Sequence, residues 1–146
     1  MEKKIIGRKE KISLPDLELD LVWAKVDTGA YTSSIHAEHI QVEEKDGRRT
    51  LKFQVLLEGH KAFTGKIVTF DQFKEKKVKN SFGHAELRYL IVTTIVIAGE
   101  KYQAEFTLSD RSSMKNAVLL GRKILKSRFL VDVTRTNLAL PYRKKG

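Results

Sequence analysis

The sequence predicts an all-β domain, and three observations carry that prediction. Apolar residues recur with period two along much of the chain, β-branched and aromatic residues crowd the longest apolar stretches, and two compact turn signals sit between such stretches. At 146 residues the chain has the length of one ordinary domain, so one folding unit spanning 1–146 is expected. Both prolines, Pro15 and Pro141, lie near the ends, and no Ser/Gly-rich tract divides the chain.

Taken in order, "VWAKVDTGA" reads as a strand with Val22, Ala24 and Val26 on one face, ending where Asp27 begins a turn. Ile40 and Val42, then Leu51, Phe53 and Val55, flank "EKDGRR", where Asp46-Gly47 signals a tight hairpin. A second hairpin is expected in "RYLIVTTIVIAGEKYQAEFTLSD", folding back at Ala98-Gly99-Glu100. One short helix of about two turns is expected after Gly121, in "GRKILKSRF", with Ile124, Leu125 and Phe129 on one face and the basic residues outward. The chain also echoes itself, "IIGRK" at 5–9 against "LLGRK" at 119–123, a repeat too short to establish a duplication.

The composition bounds the function. No run approaches the roughly 20 apolar residues that cross a membrane, and "MEKKIIGRKEK" lacks the apolar segment of a secretory signal, so a cytoplasmic address and no membrane partner are expected. The absence of cysteine excludes disulfides, thiolate catalysis and cysteine-based zinc sites. A net charge of +10 favours a polyanionic partner, nucleic acid or acidic peptide. His36 and His39 in "IHAEH" are spaced for a metal only on a helix, and no H-E-x-x-H or phosphate-binding glycine loop occurs; neither metal nor cofactor is expected. Ser33 and Ser34 beside His36 suggest a nucleophile and base, but neighbours on one strand diverge and no oxyanion loop is identifiable.

Asp27, followed by Thr28, Gly29 and Ala30, is the residue with the clearest chemical potential. Gly29 is expected to supply backbone freedom there and to admit a second backbone. One carboxylate is a poor catalyst of amide hydrolysis, which needs one group to take a proton from water while another gives one to the carbonyl oxygen. Two aspartates sharing a proton fill both roles. Only one Asp-Thr-Gly is present, so a two-fold homodimer would have to supply the second.

"VDTGA" followed by "AVLLGRKIL" resembles the retropepsin-like aspartic proteases. Together with "IIGRKEKISLPDL", "NSFGHAELRYLIVTTIVIAG", "FTLSDRSSMKNAVLLGRKIL" and "FLVD", it is similar to the bacterial RimB-type family, formerly labelled ATP-dependent zinc proteases, over nearly the whole chain. The resemblance implies a retropepsin-like β-barrel and an aspartic peptidase. Members are associated with an ATP-grasp glutamate ligase and remove glutamates that the ligase adds to a ribosomal protein, so an acidic, glutamate-rich peptide is the implied substrate. It further implies Asp27 as the acid and base of each subunit, with Thr28 and Gly29 joining the two loops across the axis. Leu119, Leu120 and Gly121 would buttress them, and Arg122 would anchor the helix. Residues 80–88 would form a flap in which Gly83 bends and His84 and Arg88 meet substrate, beside Ala30. Family members often carry an Asn-Arg pair and a proline ahead of the second element, where this chain has Asp110-Arg111 and Ala117. Ala30 has no hydroxyl to offer the carboxylate, so activity is expected nearer neutral pH than in serine-containing relatives. The contrasting reading is a non-catalytic basic β-module for RNA, ribosome or acidic peptide, with Phe73, Phe82 and Tyr89 near its lysines.

Overall fold

A computed structural model describes residues 2–79 and 82–144. Eleven strands dominate: β1 (Lys4–Gly7), β2 (Lys9–Leu14), β3 (Leu19–Val26), β4 (Ser33–Lys45), β5 (Arg48–Val55), β6 (Val68–Phe70), β7 (Lys74–Lys79), β8 (Ala85–Ile97), β9 (Glu100–Ser109), β10 (Val118–Leu120) and β11 (Phe129–Asp132). Two short helices, α1 (Arg122–Leu125) and α2 (Leu140–Lys144), and a 3-10 turn at Pro15–Leu17 complete the described residues.

Six strands close into a barrel in the order β10-β3-β2-β8-β9-β4, because β10 pairs parallel with β3 on one side and antiparallel with β4 on the other. Closure removes the barrel's open edges, and alternating residues fill the interior. Ile12 and Leu14 of β2, Val22 and Ala24 of β3, Ile35 of β4, Ile91 and Ile95 of β8 and Phe106 of β9 are all buried. The retropepsin-like all-β fold expected from the sequence is thus the fold observed.

Both expected hairpins form, and both turn as predicted. Asp46 and Gly47 join β4 to β5 with φ of 53° and 76°, and Ala98 and Gly99 join β8 to β9 with φ of 52° and 79°. Two positive φ values in succession match the right-handed twist of the flanking strands. The long strands β4 and β8 each serve twice. Ser33–His36 pairs with β9 inside the barrel while Ala37–Lys45 pairs with β5 outside it, and a bulge at His39, φ 54°, interrupts the pairing with β5 after Glu38. The start of β8 pairs with β7 to form an arm that projects from the barrel.

The helix after Gly121 is one turn long rather than two. Lys126 already has extended angles (φ −57°, ψ 132°) and Ser127 has φ 69°, so the chain leaves the helix before Phe129, which is buried on β11 instead. Beyond the barrel, β1 and β11 form a parallel pair from opposite ends of the chain. The second helix, α2, has no predicted counterpart; its segment is held by the fully buried Glu10. The Glu10 carboxylate accepts the N–H groups of Gly7 (2.8 Å), Leu138 (2.8 Å) and Ala139 (3.0 Å). Replacing Glu10 with Ala leaves three backbone donors without their acceptor, and should lower stability by about 3 kcal/mol or more, read from the urea midpoint of unfolding.

Candidate active site

The turn after β3 is clamped from behind. Leu119 and Leu120 of β10 lie beside Lys25 and Val26 of β3, and the Asp27 N–H continues the ladder by donating to the Leu120 carbonyl (2.9 Å). The turn then closes on itself: the Gly29 N–H donates to Asp27 Oδ1 (2.9 Å) and the Ala30 N–H to the Asp27 carbonyl (3.2 Å). Asp27 is half-buried, whereas Thr28 and Gly29 are exposed.

Arg122, the first residue of α1, ties the far side. Its backbone N–H donates to the Ala30 carbonyl (2.8 Å), its Nη1 to the Thr28 carbonyl (3.0 Å), and its guanidinium lies 5.7 Å from the Tyr31 ring centroid. The Gly121 N–H donates to the buried Ser33 Oγ (3.1 Å). A Cβ on Gly121 would fall 2.7 Å from the Tyr31 carbonyl oxygen, so only glycine permits this approach. Leu119, Leu120, Gly121 and Arg122 therefore all converge on the Asp27 turn.

Gly29 needs a correction. Its φ lies outside the left-handed region, and a Cβ would meet Asp27 Oδ1 at 3.2 Å with no other backbone near. Within one chain its small size makes room for the carboxylate rather than for an unusual backbone angle.

The same arrangement recurs at the β1–β11 pair. There the Thr134 N–H donates to Asp132 Oδ1 (3.0 Å), the Arg135 N–H to the Asp132 carbonyl (3.2 Å), and the Arg8 N–H to the Arg135 carbonyl (2.8 Å). Gly7 passes so close to Arg135 that a Cβ would fall 2.3 Å from its carbonyl oxygen. The "IIGR" and "LLGR" echo is thus a repeated device, an apolar parallel strand whose glycine and arginine brace an aspartate turn. At Asp132 the Thr134 hydroxyl also donates to the carboxylate (2.6 Å), and this bonding holds Asp132 below the usual carboxylate range. Asp27 has Gly29 at the matching position.

A cavity of about 390 Å³ opens beside the Asp27 turn. Ala30 and Leu119 line it on the barrel side, and Lys76 and Arg88, paired across β7 and β8, line it from the arm. Of the expected substrate contacts, Ala30 and Arg88 share this cavity. Gly83, with φ 81°, and His84 lie at the arm's tip outside its lining, and Asn80 and Ser81 of the expected flap fall outside the described residues.

The lining also contains Arg111, of the Asp110-Arg111 pair, which sequence analysis did not assign to the site. Its Nε donates to the Asn116 carbonyl (3.0 Å) and its Nη1 to Ser34 Oγ (3.3 Å). Burial pushes the guanidinium below its ordinary value while the Asp27 charge acts in the opposite direction, which places the two groups within electrostatic reach. The buried His36 accepts the Arg111 N–H at Nδ1 (2.8 Å), so its proton sits on Nε2, facing Glu38 at 2.8 Å. Ser33 and Ser34 bond Gly121 and Arg111, not His36, and His36 is buried while His39 is exposed. Among the described residues no three His, Asp or Glu side chains are grouped to hold a metal, and no helix is long and apolar enough to cross a membrane.

Residues 5–141 match the family model described as RimB-like, retropepsin-like aspartic endopeptidase RimB. Proteins of Desulfotalea psychrophila and Shewanella pealeana, each named a probable alpha-L-glutamate ligase, are 36% and 35% identical to 89% of this chain. The chain spans only 28% of the length of those relatives. A crystal structure of a Legionella pneumophila protein of unknown function superimposes with a TM-score of 0.72 at 27% identity, covering 94% of this chain and 99% of that one.

Replacing Gly121 with Ala should cost about 1–3 kcal/mol of stability, because the loop must shift to admit a methyl group. Native-state hydrogen exchange should show the loss concentrated at the Asp27 and Ala30 amides.

Proposed function

This chain belongs to the RimB-like family of retropepsin-like aspartic endopeptidases, and on that premise we propose that it is an aspartic peptidase working as a homodimer, with the Asp27 carboxylates of two copies sharing one site. The observation that carries this reading is the clamped turn: Asp27 is fixed by β10 and α1 behind it, while Thr28 and Gly29 stay exposed in front. A second copy meeting that face across a two-fold axis would bring like carboxylates together, where they cannot both ionise. One Asp27 then takes a proton from water as the water attacks the scissile carbonyl. The other protonates the carbonyl oxygen, and the tetrahedral intermediate collapses with loss of the amine.

A surface suited to that second copy adjoins Thr28. An apolar groove is lined by Tyr31, Leu125, Phe129 and Leu130, and Ile5 and Leu130, neighbours across β1 and β11, are both about half exposed. Exposed apolar side chains grouped in this way favour burial against a partner.

For the substrate we infer an oligoglutamate extension of a modified ribosomal protein. The net charge of +10 and the cations of the arm, with His84 and Arg88 as contacts, suit a run of carboxylates. Relatives named for glutamate ligation contain a segment similar to this chain, which supports association with an ATP-grasp glutamate ligase; ligation would belong to the remainder of those proteins.

Asp27→Asn should slow glutamate removal from such a tail by about 10³-fold, followed by mass spectrometry. Survival of the tail with the native protein would overturn the substrate assignment. Leu130→Asp should shift the protein to monomer in analytical ultracentrifugation and remove activity with it; a fully active monomer would defeat the shared site. Ala30→Ser should move the acid limb of the pH–rate profile to lower pH, since a hydroxyl there favours the ionised carboxylate.

A further inference from the structure

We propose that the cavity beside Asp27 is a carboxylate-binding subsite in which Arg111 reads the substrate's acid group and His36 positions Arg111. The inference rests on Asp27 being the reacting acid, and it adds to that reading a substrate-contacting residue that sequence analysis did not assign.

Arg111 is partly buried yet pairs with no carboxylate among the described residues. A guanidinium withdrawn from water without an anionic partner is costly, and binding an anion relieves that cost. Its bonds to Asn116 and Ser34 occupy Nε and Nη1, which fixes the plane of the fork. Nη2 donates to no described residue, so the group is oriented with donor capacity remaining. A carboxylate fits a fixed guanidinium fork better than any other common side chain.

The surroundings agree in sign. Lys76 and Arg88 face the same cavity from the arm. Asp110, the one acid in the lining, is engaged by the Ser112 hydroxyl (2.6 Å) and N–H (2.9 Å), bonds that hold it below the usual carboxylate range. Three cations and one anion line the cavity, with Glu86 paired to Arg88 (3.4 Å) and Asp27 within electrostatic reach of Arg111. Behind it, His36 accepts the Arg111 N–H and donates its own N–H to the Ala117 carbonyl (2.9 Å), so one buried side chain and its backbone hold both ends of the 111–117 segment.

The carboxylate has two sources, a glutamate side chain or the free end of the peptide, and the experiment separates them. Isothermal titration of Asp27→Asn protein, which holds peptide without cutting it, compares a glutamate-tailed peptide with its C-terminal amide and with a glutamine-tailed analogue. The glutamate peptide should bind about 10- to 100-fold tighter than the glutamine peptide, and adding Arg111→Met should erase that ratio. Equal binding of the two tails, with affinity that falls on amidation and does so only while Arg111 is present, instead assigns the subsite to the terminal carboxylate. Arg111→Lys, which keeps the charge without the fork, should retain part of the preference and guards against a folding defect in Arg111→Met. His36→Gln should weaken the preference without changing glutamine-peptide affinity. Equal binding of the two tails that is also unchanged by amidation, or a preference that survives Arg111→Met, overturns the proposal. Cleavage by the native protein is scored separately: selective binding without cleavage leaves the subsite and removes the peptidase reading, and cleavage without Arg111-dependent selectivity does the reverse.

Discussion

Three residues, Val118–Leu120, fix more of this molecule than any other segment. As β10 they pair with β3 on one side and β4 on the other, and without them the six-stranded barrel would remain an open sheet with two free edges. The same strand supplies the carbonyl that receives the Asp27 N–H. Closing the barrel and seating the aspartate turn are therefore one interaction. Because β10 and the residues after it are tightly constrained, by a glycine that admits no side chain and an arginine bonded to two carbonyls of the turn, the carboxylate is held by main-chain geometry rather than by its own side-chain partners. That is the state an acid needs if its partner is to come from elsewhere.

The arrangement divides the site into a rigid and an extensible part. The rigid part is the barrel wall with the Asp27 turn and Leu119, and the loop between β9 and β10 that holds Arg111 against Ser34. The extensible part is the β7–β8 arm, which carries Lys76 and Arg88 on strands that pair only with each other beyond the barrel. Charge is distributed to match, with the arm strand "KEKKVK" exposed along most of its length. An acidic chain would meet the arm first and the partly buried Arg111 last, an order in which long-range attraction precedes short-range selection.

Much of this was legible in the sequence, for identifiable reasons. Asp46-Gly47 and Ala98-Gly99 encode turns because both positions need positive φ, a local requirement that local residues advertise. The convergence of residues 119–122 on Asp27 was legible only through resemblance, since no periodicity links strands so far apart. The one-turn helix was overread because Ile124, Leu125 and Phe129 are all buried, yet Phe129 reaches the core from a strand. Arg111 was noticed only as half of the Asp110-Arg111 pair that departs from the family pattern: nothing local in "SDRSSMKN" marks it as a site residue, and only the fold brings Ser34, Asn116 and His36 around it. Phe73 and Tyr89, considered as stacking platforms, pack edge to face against each other with centroids 6.0 Å apart.

The position of β10 in the chain also sets an order of events during synthesis. Eight of the strands that precede it can pair locally, through hairpins such as β4–β5 and β8–β9, as soon as they emerge. The Asp27 turn, made early, has no backing until residues 118–122 arrive, and β1 waits longer still for β11. Non-local pairings of this kind form late and slowly. A growing chain thus carries its aspartate unbraced until residues 118–122 have been made, and the site is assembled only then.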